Sequence, residues 1–254
     1  MKHFVEEHSI VRRIWGKSDT ILLIFAGAAA EFAQNKAVDW LYFTGKLPAD
    51  PIGRLFTTVG YARTIVFSEE RTALAAIDRI NAIHAGVENA RGQKIPQWAF
   101  RDVLFLLIGY SIRCFEVLER PMTTDEKREV LDVFLRMGNR MGIEDLPETF
   151  EQWQRQRQEH MEENLQRGQY TDHLFDQYRL HLGPLRYRIL REAQAMIVPG
   201  TVRDLLGLRR FSLLSPLIPL YKLARWLNID RLVKALIVPA RYEKEVKALD
   251  RVVV

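Results

Sequence analysis

The chain has 254 residues, a formal net charge of +5, 48% apolar and 27% charged side chains, and one cysteine. This composition excludes a disordered polypeptide, and the lone Cys114 excludes an intrachain disulfide or a cysteine-rich metal centre. No uncharged apolar run reaches the roughly 18 residues a membrane span needs, because the longest candidate, Ile21 to Ala30, meets Glu31 at once.

Helical periodicity dominates from one end to the other, and no stretch alternates convincingly as a strand. The reading is an all-α, single multi-helix globular domain; a chain of this size buries roughly 75% of its unfolded surface, enough to enclose a cofactor. A first helix is predicted from Asp19 to Gly45, capped by Ser18 or Asp19. Pro48 and Pro51 then lead to a helix over Gly53 to Phe67, and Ser68 caps the next, which carries Leu74, Ile77, Ile80, His84 and Val87. After Gly92 and Pro96 comes the most apolar helix, Gln97 to Leu118. Thr123 with Glu126 reads as a capping box opening a helix to about Met141. Thr149 caps a charged helix over Phe150 to Arg167. Further helices are expected at Asp172 to Met196, Thr201 to Leu206, Pro219 to Leu227 and Arg231 to Ile237.

His84 is the polar exception on an apolar helical face, since residues 74, 77, 80, 84 and 87 recur every three or four positions. Two explanations are open at this point. One is a core histidine bonded to a carbonyl or carboxylate. The other is a neutral imidazole ligating a metal, for which an apolar helix beside a porphyrin is a suitable setting. Alternative chemistries lack their signatures: there is no HExxH, no Cys cluster and no GxSxG.

The segments around His84 favour the second explanation. "DPIGRLFTTVGYARTIVF" and "INAIHAGVE", followed by "RMGI", "LPETF" and "IVPGTVRDLLGL", run in order over about residues 35 to 210. Together they resemble the MpaB and latex-clearing-protein group of haem-dependent oxygenases. The resemblance implies an all-α fold enclosing a haem b, with His84 as proximal iron ligand. It also implies Arg54 and Thr58 on the distal side, O₂ as co-substrate, and oxidative cleavage of a C=C bond in an apolar, isoprenoid-like small molecule or polymer. Relatives place a lysine where Thr57 stands here, which leaves the sixth iron position without an amine ligand. Their distal glutamate has no clear match, Asp39 being the nearest acidic residue. Chemically, Arg54 could hold a propionate or a developing oxygen anion, and Thr58, one turn on, could donate a hydrogen bond. Read without the resemblance, Arg54 is a surface charge at a helix start and Thr58 bonds back to a carbonyl.

Arg63, Arg91, Arg101 and Arg113 read either as further candidates for the propionates or as solvated charges, and Tyr61 and Trp98 either as flanking a porphyrin or as plain core. His160, His173 and His181 lie in polar surroundings and read as surface residues, and Cys114 as a small core hydrophobe.

Charge is concentrated at one end, where residues 209 to 254 hold ten Lys/Arg against four Asp/Glu. The remainder is nearly neutral and shows no nucleic-acid-reading motif, so no nucleic-acid partner is expected. The division is therefore residues 1–210 as the catalytic domain and 211–254 as a basic amphipathic helical extension packed on it. Within residues 211–238 the pattern fits two arrangements: a helix lying on an anionic membrane surface, or a helix that closes the core with its basic face to water. Charges near the N-terminus interrupt any signal-peptide core, so the expected setting is cytoplasmic, with peripheral membrane contact through this segment. The rival functions are a haem-free helical protein that carries lipid or docks at membranes, and a haem-binding sensor.

Overall fold

In a computed structural model, which describes residues 2–45, 49–227 and 237–250, the chain is a stack of helices without sheet. In chain order these are α1 (Ile10–Trp15), α2 (Ser18–Phe32), α3 (Val38–Phe43), α4 (Pro51–Phe67), α5 (Glu70–Arg91), α6 (Gln97–Leu118) and α7 (Thr124–Met141). There follow α8 (Phe150–Asn164), α9 (Gln169–Ile197), α10 (Gly200–Leu205), α11 (Ile218–Trp226) and α12 (Glu243–Leu249). Among these residues no helix is long and apolar enough to cross a membrane.

Local chemistry sets most boundaries. Asp50 accepts from the Gly53 amide and Pro51 opens α4, its missing N–H costing nothing at that position. The capping box at Thr123 forms, with Glu126 returning to the Thr123 amide. Thr149 caps α8 through the Gln152 amide. The predicted cap at Ser68 does not form; α5 begins after Glu69 without a side-chain cap.

The helix expected to run from Asp19 to Gly45 is broken in two. Asn35 is the physical reason: its Oδ1 accepts from the Ala37 amide, and its Nδ2 donates to Asp102. A side chain that offers the backbone this local alternative ends the helical ladder. Helix α1 was not foreseen, although Ser9 caps it through the Val11 amide. Near the other end, α9 bends at Gly183, whose φ of 73° places it in the left-handed region, just before Pro184.

The core lies between α2 and α6, where Trp15, Phe105, Phe115, Tyr110 and Ile24 are all but fully buried. Gly27 is what lets the two helices meet: a Cβ there would lie 2.3 Å from the Tyr110 ring. Gly27→Ala should therefore destabilise the fold by about 1–3 kcal/mol, the usual cost of overpacking, measurable by chemical denaturation. The C-terminal segment folds back onto α4, burying Val238, Tyr242 and Val246 against Ile52. Tyr242 donates to Asp50 at 2.6 Å, tying that segment to the cap of α4.

Candidate functional site

Helices α4 and α5 pack against each other, and the short link at Ser68 and Glu69 turns them into an antiparallel hairpin. His84 sits on α5 with its ring 5.0 Å from that of Phe100 on α6. Its Nδ1 is buried and has no hydrogen-bond partner. Whichever tautomer is present, one buried nitrogen is left unpaired, at a cost of about 1–3 kcal/mol that a bound group could offset. Burial, and then the Arg54 charge, push its pKa below the ordinary histidine value, while Glu88 opposes them. The neutral imidazole this favours is the form that keeps a lone pair for a metal.

Arg54 stands in the first turn of α4, half-buried, and its charge reaches His84 across the hairpin. The fold thus brings together the two residues that carried the strongest expectations. Thr58 follows one turn later, exposed, with its hydroxyl donating to the Arg54 carbonyl at 3.1 Å. Thr57 and Thr64 bond back to Gly53 and Gly60 in the same way. The Thr58 proton is therefore engaged by the helix, and its oxygen remains an acceptor.

The other candidates have partners of their own. Asp39 pairs with Arg91 at 2.6 Å, and Arg91 lies over the Trp40 ring at 4.1 Å. Arg63 donates to the carbonyls of Trp15 and Leu249, and Arg113 to that of Met196. Arg101 bonds Asp145 and His160. Tyr61 and Trp98 are half-buried. Cys114 is fully buried, which pushes its thiol pKa well up and leaves it inert.

His160 departs from the surface placement expected of it. It is 9% exposed, with its ring 5.3 Å from Phe105. Its Nδ1 contacts Asp102, whose other oxygen takes Asn35 and Asn164. Arg101 donates to Nε2 at 3.2 Å, so that nitrogen must keep its lone pair, and the ring is neutral with its proton on Nδ1. The pKa is held at about 4 by burial and by the Arg101 charge. A folded-state value below the ordinary 6.5 means that the unfolded chain takes the proton first. Stability is then complete above about pH 6.5 and is lost as pH falls toward 4. Between pH 7 and pH 5 the loss should be about 2 kcal/mol in the free energy of unfolding; a flat profile there would contradict this neutral network. His173 is exposed beside the Tyr42 hydroxyl, and His181 contacts Arg241 at 2.6 Å.

A second buried network was not anticipated. Arg157 forms a bidentate pair with Glu31 at 2.7 and 2.8 Å, and Tyr110 donates to the same carboxylate at 2.9 Å. Its one sequence signal is a glutamate closing the apolar run of α2.

A cavity of about 450 Å³ lies between α2, α4, α9 and α11, with an almost entirely apolar lining that includes Phe25, Ile52, Phe56, Leu190 and Met196. His84, Arg54 and Thr58 are not among its lining residues. Among the described residues, no cluster of three or more His, Cys, Asp or Glu could hold a bare metal ion.

The described residues thus form an all-helical domain with His84 on one helix, Arg54 across the hairpin and an apolar cavity apart from both. The comparison with known families makes this specific. The family model described as "ER-bound oxygenase mpaB/B'/Rubber oxygenase, catalytic domain" matches residues 12–229. The chain belongs to this family, and its domain is an oxygenase catalytic domain. The match ends inside the stretch that the charge pattern separates at residue 211. No curated protein and no solved structure matched.

Proposed function

We propose that the protein is a haem b-dependent oxygenase acting on an apolar, isoprenoid-like substrate by oxidative cleavage of a C=C bond. The observation that carries the reading is His84: an imidazole kept toward its neutral form on a helix of an oxygenase domain, with a buried Nδ1 that has no partner among the described residues. Haem b, when bound, would supply the redox centre for O₂ chemistry.

This chain's residues would do the rest. His84 would hold the iron. Arg54 would offer its guanidinium, a planar fork of donors, to a propionate or to developing negative charge. Thr58 accepts a hydrogen bond but donates one only by giving up its bond to the Arg54 carbonyl. Thr57, likewise bonded within the helix, supplies no amine ligand. The apolar cavity offers a water-poor space for a hydrocarbon substrate. The setting we infer is cytoplasmic.

The test is turnover. Haem-loaded enzyme supplied with O₂ and an oligo-isoprene should consume oxygen and form carbonyl products, detectable as hydrazones. Haem-loaded protein that forms none from any alkene offered would instead be a sensor. The separation of the cavity from His84 favours one second reading, carriage of a lipid without iron, and there the purified protein would be colourless.

A further inference from the structure

We propose that α11 and the turn before it form a docking surface for an anionic lipid membrane, at which the apolar cavity opens. This does not rest on the haem reading. The stretch from Arg209 to Leu227 contains four basic residues and no acidic one. A conventional surface helix would turn its basic side chains to water and its leucines inward. Here the arrangement is reversed.

Lys222 donates to the Glu119 carbonyl at 3.0 Å, and Arg225 bonds the Glu119 carboxylate at 2.6 Å and Asp19 at 3.3 Å. The carboxylates of Asp19 and Glu119 thus draw Arg225 toward the body, and the Glu119 carbonyl draws Lys222. The apolar side chains are left outside: Phe211 is 79% exposed, Leu213 51%, Leu220 64% and Trp226 77%. A contiguous exposed apolar face of this kind marks a surface with a partner. Ile218 and Tyr221, on the inner side, pack on the main core and hold the helix in place.

Charge identifies the partner. Arg209 and Arg210 are exposed beside Phe211 at one end of the face, and Trp226 stands at the other. Apolar side chains that enter the acyl boundary, basic groups at headgroup level and an indole at the interface are the chemistry of an amphipathic helix lying in a membrane surface. Leu217 and Leu220 are at once exposed and part of the cavity lining, so the cavity's rim lies on the docking face. An apolar molecule dissolved in the bilayer could pass into the protein there without crossing water.

The experiment is co-sedimentation of the full chain with vesicles of phosphatidylcholine and phosphatidylglycerol, compared with phosphatidylcholine alone. The protein should pellet with the anionic vesicles. Leu220→Ser with Trp226→Ser should weaken binding about tenfold or more, because both side chains lose their burial in lipid. Arg209→Gln and Arg210→Gln should each cost about fivefold. All four positions are exposed, so thermal unfolding of the variants should match the parent, separating lost docking from lost folding. Failure to pellet with anionic vesicles, equal pelleting with neutral ones, or an unaffected Leu220/Trp226 variant each overturns the proposal. So does sedimentation velocity showing that copies of the chain associate through this face in place of lipid binding.

Discussion

Arg157→Ala should lower the free energy of unfolding by about 3–5 kcal/mol, the largest loss expected from any single truncation discussed for this protein. The pair it breaks is buried on both sides, with the two side chains 9% and 5% exposed. Removing the guanidinium leaves the Glu31 carboxylate in a low-dielectric core with the Tyr110 hydroxyl as its side-chain partner among the described residues. It also removes the side chain that packs on Gly109, where a Cβ would lie 2.9 Å from Arg157 Nε. Tyr110 stays a neutral hydrogen-bond donor, because burial and the neighbouring carboxylate hold its pKa well above the ordinary value. Replacing both partners by apolar residues of similar volume, Glu31→Leu with Arg157→Met, should cost less than Arg157→Ala alone. That ordering follows from the penalty of an uncompensated buried charge. Denaturant titration of the parent and the two variants measures it, and a double variant less stable than Arg157→Ala would contradict it.

His84→Gly should abolish haem binding while leaving the helical fold intact. The side chain is half-buried and its Nδ1 bonds nothing in the protein, so its removal breaks no hydrogen bond. The cost of the glycine itself within α5 is about 1 kcal/mol. A structural histidine would behave in the opposite way, with stability falling and no cofactor-dependent signal to lose. Added imidazole gives the sharper distinction. It should restore haem absorbance to the His84→Gly protein by entering the space beside Phe100, whereas a histidine that merely fills the core would yield no spectral recovery.

The local part of the fold was legible in the sequence because it is written locally. The Thr123–Glu126 capping box, the Thr149 cap and the apolar period of α6 depend on neighbours within a turn or two, and the helices start where these residues stand. The break at Asn35 was not legible, since its cause includes a partner, Asp102, sixty-seven positions away. His160 was misread for the same reason: its polar neighbours in sequence point to water, while Asp102 and Phe105 from α6 enclose it. At the candidate site, Arg54 and His84 were singled out through the resemblance of their flanking segments, and their mutual approach depends on the α4–α5 hairpin. Arg63, Arg91 and Arg101 could not be sorted from sequence, because the carbonyls and carboxylates that occupy them lie on other helices or, for Asp145, in the loop after α7. The inverted face of α11 was hidden too. Both arrangements considered for it have the same pattern of residues, and the carboxylates of Asp19 and Glu119 decide which way it turns. The helix expected over Arg231 to Ile237 lies almost wholly outside the described residues.

The central claim is that His84 holds a haem iron, and the ultraviolet–visible absorption spectrum of protein produced with ample haem tests it most directly. The wild type should be red-brown with a strong Soret band and about one haem per chain, and the band should be absent from His84→Ala. A colourless wild type, or a His84→Ala protein with an undiminished Soret band, would contradict the account.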